Sequence, residues 1–92
     1  MRVRWTAPAA DDLENIKTFL LKNHPQFAER TVRTIYERIR SLRTSPYRGR
    51  PGRRGGTREL PVTPLPYVVV YSVRPSEVVE ILHIHHGAQD WR

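Results

Sequence analysis

The spacing of apolar residues changes period once along this chain, and that change limits the fold more than any other feature. In the first half Ala9, Leu13, Ile16 and Leu20 stand at steps of four, three and four, and Ala28, Val32, Ile35, Ile39 and Leu42 continue the same step. Such spacing lines one face of a helix. After "SPYRGRPGRRGG" the segments "TRELPV", "PYVVVYSV" (Pro66 to Val73) and "EVVEILHIHH" (Glu77 to His86) are rich in β-branched and aromatic residues. Those runs are strand-like. Two one-faced helices followed by strands satisfy their apolar faces by packing helices against one side of a sheet.

Local signals place the boundaries. Thr6 can cap the first helix, with Pro8 in its opening turn and Asp11, Asp12 and Glu14 near its positive end. That helix should end near Lys22. "NHP" (Asn23 to Pro25) stops it and starts the next, which should reach about Thr44. So short a connection makes an antiparallel helical hairpin. Ahead of it, Val3 and Trp5 alternate with Arg2 and Arg4, which suits a short strand with Trp5 in the core. "TRELPV" lies beside prolines, hence near an edge. The two later strands are central, with "RPSE" as their turn. The predicted order is β-α-α-β-β-β: an α+β domain over residues 1–92, a twisted antiparallel sheet packed against an N-terminal helical hairpin.

Composition narrows the class. Ninety-two residues with 38% apolar content and a mean hydropathy of −0.60 support only a modest core, so a partner is expected to complete part of the apolar surface. There is no cysteine, which excludes disulfides, thiolate zinc sites and thiol nucleophiles. No apolar run is long enough to span a bilayer, and "MRVRWTAPAADD" lacks the apolar core of a signal peptide. A cytoplasmic protein is expected. Net charge is +7, carried as +1 in residues 1–23, +3 in 24–46, +4 in 47–60 and −1 in 61–92. Fourteen of the sixteen bases are arginine, whose planar fork grips phosphate or carboxylate in two places. A polyanion or a strongly acidic protein is the implied partner.

The excess centres on "GRPGRRGGTREL", with four arginines and four glycines between Gly49 and Leu60. Charge runs of this kind are usually mobile solvated loops. The stretch is not a phosphate-cradling P-loop, since it lacks "GK[ST]" and leads into a strand. With Arg30, Arg33, Arg38, Arg40 and Arg43 just upstream, it is expected to form one arginine-heavy rim between the helical and sheet layers.

This order, with "W" and "A…DL..I" at the first helix, "P..A" opening the second, "L..SP..GRPG", "GTREL", "LPYVVVY" and the closing "HGAQDW", resembles the RelE/ParE superfamily of toxins from type II toxin–antitoxin modules. The likeness runs over nearly the whole chain, and "GTREL" with the closing segment points to the ParE side. It implies a bacterial or archaeal toxin silenced by a small antitoxin (ParD/RelB-like) whose C-terminal segment wraps its surface. Antitoxins of this class tend to be acidic, which suits the arginine excess. RelE-like members cut messenger RNA in the ribosomal A site without a metal; ParE-like members lack that activity and poison DNA gyrase.

Metal-free RNA cleavage needs a base for the 2′-hydroxyl, cations for the crowded phosphate and an acid for the departing oxygen. The residues available are His83 and His86, near the chain end, with Arg58 on the preceding strand. In RelE-like enzymes, the resemblance implies, a base also sits within the strand corresponding to Tyr67–Val73. "YVVVYSV" contains none, and a hydroxyl cannot offset phosphate charge as a guanidinium does. The favoured expectation is therefore ParE-like action by protein contact, with RelE-like cleavage and a degenerate toxin that only binds its antitoxin as alternatives. Contacts to target or antitoxin are expected from Arg33, Arg40, Arg50, Arg53, Arg54, Arg58, Tyr67 and Trp91. Tyr67 and Tyr71 share a face: a contact surface if it meets the antitoxin, plain core if it meets the helices. "HxH" at His83 and His85 can supply two zinc ligands, but no third stands at useful spacing, so neither metal nor cofactor is expected.

Overall fold

The computed structural model describes residues 1–87. Its elements are β1 (Arg2–Trp5), α1 (Ala7–Asn23), α2 (Pro25–Arg40), a 3-10 turn at Ser41–Arg43, β2 (Arg50–Pro51), β3 (Arg58–Pro61), β4 (Tyr67–Arg74) and β5 (Val78–His86). The five strands form one sheet in the order β1-β5-β4-β3-β2, and the two helices pack against it, as the change of period requires.

Thr6 caps α1 by accepting from the Ala9 amide at 3.3 Å, while its hydroxyl donates to the Ile81 carbonyl at 2.7 Å. One side chain thus starts the helix and fastens it to the sheet. The apolar stripe of α2 buries Ala28, Ile35 and Ile39, and Leu42, in the 3-10 turn, is fully buried. The stripe therefore outlasts the α-helix, which ends at Arg40, short of the expected Thr44. These side chains meet Leu60, Val62, Val69, Tyr71, Val79 and Ile81 of the sheet side in one core. Each fully buried branched side chain there stabilises by roughly 1.5–3 kcal/mol.

The sheet departs from the expected all-antiparallel pattern in three ways. β1 pairs with β5 in parallel, Arg2 opposite Val78 through Trp5 opposite Ile81. A parallel pair needs a long connection, and the helices and the β2–β4 meander supply it. A fifth, two-residue strand, β2, adds to the far edge. Between β4 and β5 the register shifts: Val70 faces His83 but Tyr71 faces Ile81, leaving Leu82 as the extra residue of a bulge. Trp5 is half-buried against the core and stacked on Tyr36, with centroids 6.2 Å apart.

Candidate functional site

The glycine–arginine stretch is not the mobile loop its composition suggests. β2 and β3 make a hairpin, Arg50 opposite Glu59 and Pro51 opposite Arg58, closed by the Gly52 amide donating to the Thr57 carbonyl at 2.8 Å. Its base is held by Tyr71, whose buried hydroxyl donates to the Pro46 carbonyl at 2.8 Å and accepts from the Gly49 amide at 2.9 Å. Burial raises the Tyr71 pKa above the ordinary value; the Gly49 amide and the charges of Arg58 and Arg48 pull the other way. Gly49 is obligatory, because a Cβ there would lie 2.6 Å from the Tyr71 hydroxyl. Gly56 has φ +78°, a region glycine enters freely.

Two buried carboxylates organise the face away from the helices, where Glu59 and Ser72 alternate with the core residues Leu60 and Tyr71. Glu59, 4% exposed, takes the Arg50 guanidinium at 3.2 Å and the Arg53 guanidinium at 3.9 Å. Ser72 donates to the Gly56 carbonyl at 2.8 Å, drawing the hairpin tip over this face. Glu80, likewise buried, binds Arg74 at 2.9 Å and also Arg4. Buried carboxylates persist only when paired in this way.

The three candidates for RNA cleavage do not converge. Arg58 lies opposite Tyr71 and His86 opposite Tyr67, an offset of four residues, about 13 Å along the strand. The Arg58 guanidinium donates to the carbonyls of Gly49 at 2.5 Å and Tyr47 at 3.3 Å and lies 5.1 Å over the Tyr47 ring. At the other end of the sheet, Asp12 of α1 accepts from the Ile84 amide at 2.9 Å and sits 3.2 Å from His83 Nδ1. His86 is exposed and meets the Tyr67 ring edge-on at 5.8 Å. Among the described residues no three His, Asp or Glu side chains gather as a metal site.

Tyr67, expected as a contact residue, faces the helices and belongs to the core at 9% exposure; burial raises its pKa. It reaches the surface only as part of the wall of two grooves. One runs between α2 and the β3–β4 connection, with Leu20, Phe27, Leu65 and Arg30; the other lies between α1 and the end of β5, with Ile16, Phe19 and His86.

The expected single arginine rim is divided between the hairpin at one edge of the sheet and α2, which reaches the other edge at Arg40. Arg50, Arg53, Arg54 and Arg58 belong to the β2–β3 hairpin at one edge. Arg33 and Arg40 lie on α2: Arg33 pairs with Glu29 at 2.6 Å and borders a groove with Leu21, Val32 and Tyr36. Arg40 borders a cleft beside β1, at the opposite edge. Trp91 lies outside the described residues. Sequence reasoning passed over Phe19, Leu21, Phe27, Tyr36 and Tyr47, all large and exposed. For the four helical ones the signal was present, since apolar residues off the four–three stripe of a helix face outward; Tyr47 lies in a turn, where spacing carries no such signal. Among the described residues no helix is long and apolar enough to cross a membrane.

Comparison with known proteins agrees with this architecture. The profile of the family described as "ParE toxin of type II toxin-antitoxin system, parDE" matches residues 3–91. A Sinorhizobium fredii protein named "Putative toxin Y4kP" is 39% identical over 90 residues, covering 98% of this chain and 92% of the relative. Among solved structures, the chromosomal ParDE system of P. aeruginosa superposes with a TM-score of 0.84 at 28% identity, over 94% of this chain and 95% of that one. The RelBE2 toxin–antitoxin complex of Mycobacterium tuberculosis gives 0.59 at 27% identity, over 92% and 95%. A β-α-α-β-β-β-β chain with a glycine–arginine hairpin and a helical lid, matched by that profile along almost its full length, belongs to the ParE toxin family of type II toxin–antitoxin systems.

Proposed function

We propose that this toxin arrests growth by contact with DNA gyrase and is held silent by an acidic antitoxin. One observation carries the choice of target: the position of Arg58. It is the cation best placed by sequence to assist phosphate cleavage, yet its guanidinium is committed to the Gly49 and Tyr47 carbonyls and the Tyr47 ring, about four strand positions from His86. Tyr67–Val73 supplies no cation, and the Arg74 that follows is bound to Glu80. Charge stabilisation of a crowded phosphate needs donors aimed at one point, and these groups do not share one. Protein contact needs exposed apolar anchors and arginine instead, and Phe19, Leu21, Phe27 and Tyr36 with Arg33 and Arg40 provide them on the helical side. The antitoxin is proposed from the ParDE and RelBE2 likenesses together with the arginine excess.

Two parallel assays test the target. Purified protein is added to gyrase with relaxed plasmid, and to translating ribosomes with messenger. Inhibition of supercoiling without cleavage supports the proposal. Supercoiling untouched at high toxin excess while ribosome-bound messenger is cut overturns it in favour of the RelE-like enzyme, and His86→Ala and Arg58→Ala would then abolish cutting. Induction without any growth defect, despite a tight antitoxin complex, would identify a degenerate toxin.

A further inference from the structure

We infer that the cleft between β1 and the C-terminal end of α2 binds a single-stranded polynucleotide, one base stacking on its aromatic wall and the flanking phosphates resting on Arg40 and Arg43. The cleft shares Tyr36 and Arg40 with the surface proposed for protein contact, but the assay below contains neither gyrase nor ribosome, so its outcome is separate from that reading. The cleft measures about 380 Å³, room for one nucleotide unit within the range of small-ligand sites. Its wall is the stacked pair Trp5 and Tyr36, interplanar angle 17°, with Tyr36 52% exposed. Val3 and Ile39 add an apolar floor, and no acidic residue lines it.

Five arginines elsewhere in the molecule carry a counter-charge. Arg4 and Arg74 are bound to Glu80, Arg50 and Arg53 to Glu59, and Arg33 to Glu29. Among the described residues Arg40 and Arg43 form no ion pair. Glu37, the nearest acid along α2, borders the adjoining cleft with Arg40 and Arg43 and forms none either. Two arginines without counter-charges beside an exposed aromatic face make up the two halves of single-strand recognition: backbone neutralisation and sequence-tolerant stacking. An acidic peptide would satisfy the charges but leave the stacking face unused, so a polynucleotide fits the cleft better.

The test uses the full chain and a labelled 12-nucleotide single strand, as DNA and as RNA, followed by fluorescence anisotropy. Affinity should fall with salt at a log–log slope of about −0.7 per phosphate neutralised. Arg40→Gln/Arg43→Gln should weaken binding at least about tenfold and flatten that slope by about 1.4. Tyr36→Ala should weaken it about 5- to 150-fold, while Tyr36→Phe, which keeps the ring, retains binding. Lys22→Gln/Arg38→Gln removes the same charge outside the cleft and should change affinity less than twofold. Thermal melts confirm that each variant is folded. Unequal affinity for DNA and RNA would identify which strand is the natural ligand. The inference is overturned if the wild type fails to bind at low salt, or if the two charge-removal pairs weaken binding equally. It is also overturned if Tyr36→Ala binds like the wild type, or if a polyglutamate peptide of equal charge binds as tightly as the oligonucleotide.

Discussion

Tyr71 decides whether the arginine-rich stretch is a loop or a hairpin. Its hydroxyl joins Pro46 to Gly49 from within the core, and the close approach leaves no space for a side chain at Gly49. Gly49→Ala must push the Tyr71 hydroxyl or the Glu59 carbonyl aside, the latter only 2.9 Å from the new Cβ. It should cost about 1–3 kcal/mol, as overpacking does, read from a urea midpoint. Gly55→Ala, with nothing within 4 Å of the new atom, should stay within about 0.5 kcal/mol. The buried tyrosines also set an alkaline limit. Burial raises the folded-state pKa of Tyr67 and, against the smaller pull of the Gly49 amide and nearby arginines, of Tyr71, above the ordinary 10.0. Above that pH the unfolded chain loses phenolic protons that the folded chain keeps. Their contribution is therefore whole below about pH 10 and is lost as pH rises through the raised values. Melting temperature should drop more steeply above pH 10 in the wild type than in Tyr67→Phe, which removes one of the two groups.

At the scale of elements, the bulge in β5 and the start of α1 share one fastening. Thr6 bonds to Ile81 before Leu82, and Asp12 takes the Ile84 amide after it. The helix thus grips the strand on both sides of its irregularity. Asp12→Ala strands the Ile84 amide and should cost about 1–3 kcal/mol, the penalty for an unsatisfied half-buried donor. Amide hydrogen exchange should accelerate at Ile84 more than at Val69 on the opposing strand. This bulge was not legible in advance. "EVVEILHIHH" is apolar on both faces, so no alternation exists for an extra residue to interrupt. The helices were legible because their stripes contrast with charged neighbours. Even so, the step through Leu42 could not distinguish α-helix from a 3-10 turn, since both place that residue inward. The parallel β1–β5 pairing was hidden because it is fixed by partners some 76 residues apart. The hairpin was hidden because Tyr71 and Glu59, not glycines and arginines, hold it.

For the whole molecule, division of the arginines between two edges changes how the +7 charge can act. A single rim would steer an acidic antitoxin from one direction, and reversing its charges would remove most of the acceleration. Cations at both edges instead produce a field around the molecule, in which each edge contributes a share. Many of the arginines are tied to Glu59, Glu80 or Glu29, which trims their reach without changing the total. Association with an acidic partner should therefore slow at least about tenfold between 50 and 500 mM salt, while dissociation changes little, since distributed charge acts on encounter more than on the docked complex. Arg40→Glu at one edge and Arg54→Glu at the other each change the net charge by two, and should slow association by similar factors, about two- to fivefold at low salt. Stopped-flow rates across a salt series check this directly. If Arg54→Glu alone abolishes the salt dependence, steering belongs to the hairpin and not to the molecule. If neither reversal changes the rate, the arginine excess serves some encounter other than that with the antitoxin.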